Sequence, residues 1–300
     1  MNGKVSLIIP TIEEERIFDL IRKVRSALGK NIEIIIVDKS SNAYYNRLKK
    51  TGAKVLRQTD KGVENAIMFG LRNAKGNILA SIDADGTHDI EGLVKGIKMI
   101  KNNDADLVLG NRLSNLEKGS MPLYLKLGNS ILSWLYARLY KNKIHDVLTG
   151  LFVMNRRAFD RIHNIEPYRA GIAFFAIELA KRNFRIKEVN IKYYRRREGQ
   201  SKLAKSKFAY GFGVASHLIR QIRDYSPLLI FGTIGVVLII IGAVLGVMVI
   251  ISFLNSGLLN EIGRALISFM LIVLGMLSIM TGFILDLLLE ILKRIDEIGH

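Results

Sequence analysis

The sequence predicts an α/β protein with a mostly parallel sheet, followed by a two-helix hairpin that spans a membrane. First, short apolar, β-rich runs alternate with helical patterns over the first hundred residues, which indicates βαβ units. Second, carboxylates follow the ends of two of these runs, at Asp38 and at Asp83 and Asp85. Third, two long uncharged apolar runs lie near the C-terminus. These observations favour a ligand-binding sheet edge on a membrane-anchored chain.

The charge of the chain is unevenly distributed. The 300 residues carry a net charge of +17, but only three of the 44 basic and five of the 27 acidic residues lie after residue 226. The first 226 residues therefore have a net charge of +19, which indicates an anionic surface nearby, either an acidic membrane or nucleic acid. Cysteine is absent, which excludes disulfide and thiol chemistry and agrees with a cytoplasmic location.

The predicted elements follow in chain order. We expect Pro10 to end the first strand and Thr11-x-x-Glu14 to act as a capping box that starts the first helix. The predicted strands are 5–9, 32–37, 53–56, 78–82 and 107–109, and the predicted helices run to about residue 28, from 61 to 74 and from 90 to 100. Since the carboxyl ends of parallel strands share one edge, Asp38, Asp83 and Asp85 are expected to converge there.

Asp83 and Asp85 are the centre of the predicted site. Residues two apart on a strand point to the same face, and ions such as Mg²⁺ favour one or two carboxylates together with substrate phosphates. The pair alone also fits an ordinary polar turn, and the shared edge favours a Mg²⁺ or Mn²⁺ site. His88 is interpreted as a turn residue rather than one that orients the metal loop, and His145 and His163 lack the spacing of ligands.

The C-terminal runs predict two membrane spans, at about 228–254 and 265–287. Each exceeds the roughly 20 residues that cross a bilayer core. Basic residues flank the outer ends (Arg220, Arg223, Lys293 and Arg294), so the positive-inside rule predicts a cell-membrane protein whose large domain and both termini are cytoplasmic. Gly242-x-x-x-Gly246 and Ser278-x-x-x-Gly282 permit close helix approach, either in the hairpin or in a homo-oligomer. The predicted division is 1–203, a juxtamembrane amphipathic helix at 204–226, and the hairpin at 227–300.

Two further stretches, 120–140 and 208–223, combine aromatic, apolar and basic residues. Amphipathic helices of this composition suit the membrane interface. The alternative is that they are ordinary helices that cover the sheet.

Several motifs in a fixed order carry a family resemblance over about residues 4–226. The first half resembles the nucleotide-sugar-binding domain of family 2 glycosyltransferases, which has the GT-A fold. The second half resembles the polyprenyl-phosphate branch of that family, the dolichyl-phosphate mannose and glucose synthases and related archaeal hexosyltransferases. The matching residues are Ile9-Pro10-Thr11, Glu13-Glu14-Glu15, Ile36-Val37-Asp38, Lys61-Gly62, Asn65-Ala66, Gly70, Asp83-Ala84-Asp85, Gly110-Asn111-Arg112, Asp146, Thr149-Gly150, Glu178, Arg196, Gly199 and Ser201-Lys202.

This resemblance implies a role for each matching residue. Asp83 and Asp85 would hold the metal, and Arg112 and Arg196 would bind phosphates. The residues predicted to be catalytic are Asp85, Arg112, Asp146 and Arg196. The nucleotide sugar would be bound by Pro10, Thr11, Glu13, Asp38, Gly62, Asn65, Asp83 and Ala84. Asp146, Glu178 and Lys126 would lie near the acceptor phosphate, with Ser201 and Lys202 ordering the adjacent loop. Lys39, where many relatives have an acid, and Gly86-Thr87, where mannose synthases often have a longer side chain, leave the base and the sugar open.

The resulting hypothesis is an inverting, metal-dependent transferase that moves a hexose or N-acetylhexosamine from a UDP-sugar or GDP-mannose to dolichyl or another polyprenyl phosphate. Such a lipid-linked sugar would feed protein N-glycosylation or other glycan assembly. One alternative is a processive polysaccharide synthase, which usually carries a Gln-x-x-Arg-Trp motif, whereas Trp134 is the one tryptophan here and lies outside that pattern. Another is a non-catalytic membrane-tethered nucleotide-sugar-binding protein. Nucleic-acid binding would explain the charge but not the two spans.

Overall fold

The computed structural model describes residues 3–29, 31–58, 60, 62–165, 172–196, 227–256 and 261–298. The chain forms two compact units: a sheet unit, described up to residue 196, and a helical hairpin. The predicted juxtamembrane helix at 204–226 lies outside the described residues, as do Lys61, Ser201 and Lys202. The elements of the sheet unit are β1 (Val5–Thr11), α1 (Ile17–Leu28), β2 (Glu33–Asp38), α2 (Asn42–Lys49), β3 (Lys54–Arg57), α3 (Val63–Arg72), β4 (Ile78–Ser81), α4 (Ile90–Lys101), β5 (Leu107–Leu116), α5 (Leu123–Tyr140), β6 (Phe152–Asn155), α6 (Arg156–Asp160), α7 (Ala173–Ala180) and β7 (Ile186–Tyr193).

The seven strands form one sheet in the order β3-β2-β1-β4-β6-β5-β7. β6 runs antiparallel to both β4 and β5, and the other neighbouring strands are parallel. The predicted α/β fold with a mostly parallel sheet is therefore confirmed. The predicted strands all exist, whereas β6 and β7 lie beyond the part of the sequence in which strands were predicted.

Successive residues of β1 point to opposite faces of the sheet, and both faces are covered. Leu7 and Ile9 pack with α1 and α4 in one apolar cluster. Ile8 lies under α3, where a Cβ on Gly70 would come within 2.6 Å of its Cγ2 atom. Gly70 therefore permits close packing of α3 on the sheet. Each fully buried Leu or Ile of this kind contributes about 1.5–3 kcal/mol to folding.

Two predictions about the start of the chain are wrong. β1 does not end at Pro10: it continues to Thr11, which pairs with Asp38 of β2. The ladder between β1 and β4 ends at Ile8, so the missing N–H of Pro10 breaks no bond on that side. The capping box does not form either, because Thr11 belongs to the strand and α1 begins at Ile17 without a side-chain cap.

The hairpin consists of α8 (Pro227–Ser256) and α9 (Ile262–Ile298). Within them, Phe231–Asn255 and Ile262–Leu288 are long and apolar enough to cross a membrane. A Cβ on Gly235 would lie 2.5 Å from the Gly275 carbonyl oxygen, and the Ser268 hydroxyl donates to the Gly242 carbonyl at 2.8 Å. The Ser278 hydroxyl donates to the Phe231 carbonyl, and a Cβ would lie 2.9 Å from Oγ of Ser268 at Gly246 and 3.0 Å from Cβ of Phe231 at Gly282. All four small residues singled out in the sequence thus pack within the hairpin.

Candidate active site

The carboxyl ends of β1, β2 and β4 bring the predicted aspartates to one edge of the sheet. Thr11 pairs with Asp38, and Ile8 pairs with Ser81. The Ile82 amide then donates to the Ile8 carbonyl, so the Asp83–Asp85 turn begins where the β4 ladder ends. The sequence-based expectation that these carboxylates share one edge is confirmed by this register.

The Asp85 carboxylate is oriented by its own turn. Its Oδ1 atom accepts hydrogen bonds from the Thr87 amide at 3.1 Å and the Thr87 hydroxyl at 2.7 Å. Gly86 adopts a φ of 66°, which an L-residue rarely adopts. Thr87 therefore fixes the Asp85 carboxylate through Oδ1 and forms no hydrogen bond with Oδ2.

Asp83 lies in a confined position. Its side chain is 38% exposed, and its Oδ2 atom is 3.9 Å from Nδ1 of the buried His88. A Cβ on Gly150 would lie 2.0 Å from the same Oδ2 atom, so only glycine leaves room for this carboxylate. Desolvation by burial raises the pKa of Asp83, and the neighbouring Asp85 charge raises it further, while His88 opposes the rise. A bound cation would relieve both effects.

The turn after Asp85 is held by the segment that ends β7. The Tyr194 amide donates to the Thr87 carbonyl at 2.8 Å, and the Lys192 amide donates to Asp89 at 2.9 Å. Asp89 also caps α4 by accepting from the Gly92 amide. His88 contacts the Thr87 hydroxyl at 3.3 Å and packs edge-on against the Tyr193 ring. These contacts make His88 a buried residue that packs beside Asp83. The sequence alone did not distinguish this role from that of an ordinary turn residue.

Arg112 and Asp146 form a closed pair beside Asp83. Asp146 is fully buried, and it accepts from Nε and Nη2 of Arg112 and from the Arg112 amide, all within 2.9 Å. Asn129 adds a fourth hydrogen bond at 2.6 Å. Burial alone would raise the pKa of Asp146, but the Arg112 charge and these hydrogen bonds hold it below its usual value. Asp146 is therefore a weak base that positions Arg112.

Arg196 connects Asp85 with the loop after β1. Its Nη2 atom pairs with the Glu14 carboxylate, and its Nη1 atom is 3.8 Å from Oδ2 of Asp85. Arg196 also contributes, with Arg112, to the positive potential at Asp83. The structure thus brings together five predicted residues (Asp83, Asp85, Arg112, Asp146 and Arg196). Glu14 had been predicted only as the acid of the capping box, and no role in the site had been predicted for it.

The residues predicted to hold the nucleoside surround the end of β2. Asp38 is fully buried, and its carboxylate is satisfied by Ser40 and by Nη1 of Arg57 at 2.9 Å. The Arg57 guanidinium stacks over the Tyr45 ring at 4.2 Å. Asp38 therefore positions Arg57, a residue that the sequence reading missed. Glu13 adopts a φ of 47° and links the loop after β1 to Ser40 and Ser41.

The remaining predicted residues differ in position. Gly62, with a φ of 109°, caps α3, and Asn65 lies in the first turn of that helix. Lys126 is exposed on α5. Glu178 is buried and pairs with Lys181 and Arg182. Arg182 lines a cavity of about 340 Å³ with Asp106 and Arg185. Because these two residues directly precede β5 and β7, Glu178 lies toward the amino ends of those strands and not with the carboxylates at the carboxyl ends.

The two carboxylates at the edge fit a divalent cation that is also held by substrate phosphates. Among the described residues, no group of three or more His, Cys, Asp or Glu side chains could hold a metal alone. No hydrogen bond from a described residue reaches Asp83, and the one ion pair that Oδ2 of Asp85 forms within the described part of the chain is the 3.8 Å contact with Arg196. Hard oxygen donors in this number suit Mg²⁺ or Mn²⁺, which commonly complete their coordination with phosphate and water.

The fold and this edge define a GT-A-like α/β protein. The sequence matches the model of glycosyl transferase family 2 over residues 6–163, so the chain belongs to that family and is a glycosyltransferase. The fold is similar to a crystal structure of glucosyl-3-phosphoglycerate synthase from Mycobacterium tuberculosis in complex with Mn²⁺ and UDP. The TM-score is 0.55 and the identity 18%, over 73% of this chain and 80% of that one; at this identity the likeness concerns the fold alone.

Several of the curated relatives are archaeal. Glycosyltransferase AglJ of Haloferax volcanii is 26% identical over 98% of both chains. The low-salt glycan biosynthesis hexosyltransferase Agl6 of the same organism is 29% identical over 66% of this chain and 49% of its own length. Dolichol-phosphate mannosyltransferase of Pyrococcus furiosus is 31% identical over 69% of this chain and 61% of its own. The matches thus span from about half to nearly all of these relatives.

Proposed function

We propose that this glycosyltransferase moves a sugar from a nucleotide diphosphate sugar to dolichyl or another polyprenyl phosphate, with inversion at the anomeric carbon. It would require Mg²⁺ or Mn²⁺ and act at the cytoplasmic face of the cell membrane, so that its product supplies glycan assembly. The observation that carries the acceptor class is the closed Arg112–Asp146 pair beside Asp83.

An acceptor hydroxyl would need a carboxylate that takes its proton. Asp146 is unsuited to that task because four hydrogen bonds saturate it and its pKa is lowered. A phosphate monoester has a second pKa of about 6 and is largely dianionic at neutral pH, so it attacks without a strong base. Its requirement is a cation that aligns it with the anomeric carbon, and Arg112 can supply this.

The donor side needs compensation for the negative charge of the leaving nucleoside diphosphate. A divalent cation would supply compensating positive charge there. Asp83 and Asp85 would hold it, and Arg196 would exchange its weak 3.8 Å contact with Asp85 for a phosphate oxygen. The nucleotide would approach over Glu13 and Arg57, at the ends of β1 and β3. The base is not specified, because Arg57 can donate to acceptors on uracil or on guanine.

A lipid acceptor also needs an apolar surface. The hairpin has two helices long and apolar enough to cross a membrane. In addition, α5 exposes large apolar side chains at a spacing of three or four residues, which places them on one helical face. They are Leu123, Leu127, Ile131 and Trp134, which are 55–80% exposed. Together they support a lipid-linked acceptor over a soluble one.

The test uses membranes that contain the full chain, with dolichyl phosphate and labelled GDP-mannose, UDP-glucose or UDP-N-acetylglucosamine, each with Mg²⁺ or Mn²⁺. We expect one donor to give lipid-extractable label, and membranes without the protein to give none. Failure of every donor to label the lipid would refute the proposal, and so would undiminished labelling in excess EDTA.

A further inference from the structure

The loop that carries Asp146 is held from β7 by a residue with no assigned role. Glu188 lies in the middle of β7 and pairs in register with Leu109 of β5. Its side chain is only 10% exposed. Burying a carboxylate costs free energy unless hydrogen-bond donors pair with it. The donors that pair with Glu188 therefore indicate its structural role.

Both oxygens of Glu188 are used on this loop. Oε1 accepts from the His145 amide at 2.6 Å and from the Asp146 amide at 2.9 Å. Oε2 contacts Nδ1 of His145 at 2.8 Å and Nδ2 of Asn111 at 3.5 Å. The next amide in the chain, that of Val147, donates to the Ser133 hydroxyl of α5 at 3.0 Å. Three consecutive amides are thus bound by side chains from two different elements.

These contacts fix the position of Arg112. The backbone at Asp146 is fixed by Glu188, the Asp146 carboxylate binds Arg112 bidentately, and Nη2 of Arg112 also donates to the Leu148 carbonyl at 2.8 Å. A shift of the loop would therefore move the guanidinium. Placement errors near 1 Å can change rates by about 100-fold.

We propose that Glu188 is a positioning residue that sets the acceptor-phosphate arginine, Arg112, by binding two backbone amides. This inference rests on the proposed function for the identity of the ligand of Arg112. The contact depends on the length of the side chain rather than on its charge. A glutamine retains a carbonyl oxygen at the same distance, whereas an aspartate retains the charge but is one methylene shorter.

Glu188→Gln and Glu188→Asp therefore predict opposite outcomes. For transfer to dolichyl phosphate, Glu188→Gln should stay within about threefold of the wild type. Glu188→Asp should lower kcat/KM for the acceptor roughly 10- to 100-fold and leave the Kd of the donor nucleotide unchanged. Glu91→Ala, which removes an exposed carboxylate on α4, is the matched control. Wild-type acceptor kinetics in Glu188→Asp, or an equal loss in Glu188→Gln, would overturn the inference.

His145→Ala separates the ring contact from the amide contacts. The His145 side chain is 71% exposed, and its removal leaves both amides in place, so acceptor kinetics should remain as in the wild type. A loss as large as that predicted for Glu188→Asp would assign the effect to the ring and contradict the proposal, even if Glu188→Asp did not fold.

Amide hydrogen exchange tests the inference without turnover. Exchange in a peptide that contains His145 and Asp146 should be faster in Glu188→Asp than in the wild type or in Glu188→Gln, and peptides from α1 should not differ. Unchanged exchange at these amides would contradict the amide contacts. If the wild type transfers no sugar to any lipid phosphate but the exchange pattern holds, the proposed function fails and the positioning of the loop stands.

Discussion

The carboxylates at this sheet edge fall into two pairs that differ in how the protein satisfies them. Asp38 and Asp146 are fully buried, and each is bound by an arginine and by further donors. Asp83 and Asp85 are partly exposed, and among the described residues their Oδ2 atoms form only long contacts, at 3.9 Å with His88 and at 3.8 Å with Arg196. The first pair positions arginines and the second pair is open to a ligand. Sequence context did not separate Asp38 from Asp83, because both follow an apolar run, whereas Asp146 follows a polar, basic stretch.

The largest effect is expected from removing an open carboxylate. Asp85→Ala should lower transfer on the order of 10²–10³-fold, because the variant would lose a ligand of the cation whose charge would stabilise the leaving group. Excess EDTA should have the same effect on the wild type, and added Mn²⁺ should restore the wild type but not the variant. Initial rates of lipid labelling measure this. Asp104→Ala, in an exposed turn before β5, is the control, and equal activity of Asp85→Ala and Asp104→Ala would contradict the role of Asp85.

Crowding an open carboxylate should have the next largest effect. A Cβ at Gly150 would lie 2.0 Å from Oδ2 of Asp83 and 2.8 Å from Cε1 of His88, so Gly150→Ala must displace the carboxylate. We expect weaker Mn²⁺ binding, measured by electron paramagnetic resonance, and roughly 10- to 100-fold slower transfer. Gly128→Ala on α5, where nothing lies within 4 Å, should change neither. Unaltered Mn²⁺ affinity in Gly150→Ala would show that Asp83 is not a ligand.

Breaking a buried pair should affect stability and its pH dependence. Asp146→Asn leaves the Arg112 charge without its partner, which costs roughly 3–5 kcal/mol. The pKa of Asp146 is lowered in the fold, so its contribution is complete above the ordinary value of 3.8 and is lost as the pH falls below it. Thermal melts of the detergent-purified chain should show a lower Tm for the variant at pH 7 and a smaller difference from the wild type toward pH 3.

An exposed pair is the control for that experiment. Asp19→Asn removes a half-exposed carboxylate that pairs with Lys23 on α1, and it should change stability by about 0.5 kcal/mol or less. If Asp146→Asn melted like Asp19→Asn at pH 7, the buried pair would not be a structural support for Arg112.

The smallest effect is expected from the internal support of Asp85. Thr87→Val keeps the shape and the amide but removes the hydroxyl that donates to Asp85 at 2.7 Å. One neutral hydrogen bond of this kind contributes about 0.5–1.5 kcal/mol, so transfer should fall roughly 2- to 10-fold. A loss as large as that of Asp85→Ala would mean that Thr87 itself contacts the ligand.

The fold class could be predicted because local patterns determined it. The strands before Asp38 and Asp83 are short, apolar and rich in β-branched residues, and the hairpin follows from uninterrupted apolar length. The start of α1 could not be predicted, because pairing of Thr11 with Asp38 prevailed over a local capping pattern. The antiparallel strand β6 depends on pairing with β4 and β5, which is non-local in the sequence.

The site could be predicted in outline because its residues follow strands or recur in motifs. Asp83, Asp85 and Arg196 meet at one place, as the shared edge required. What sequence reasoning missed is which charges neutralise each other. No local pattern specifies these contacts, because they join residues that are 19–42 positions apart. They are the contacts of Arg57 with Asp38, of Arg112 with Asp146 and of Glu188 with the Asp146 amide.

Transfer to two acceptors that differ by one phosphate tests most directly whether the acceptor is a lipid phosphate that Arg112 binds. Purified full-length protein in detergent would receive its preferred donor with Mn²⁺ and either dolichyl phosphate or dolichol. The closed Arg112–Asp146 pair predicts rapid transfer to dolichyl phosphate and none to dolichol, because Asp146 is not free to take the proton of a hydroxyl and dolichol offers Arg112 no phosphate to bind. Comparable transfer to dolichol would contradict the account.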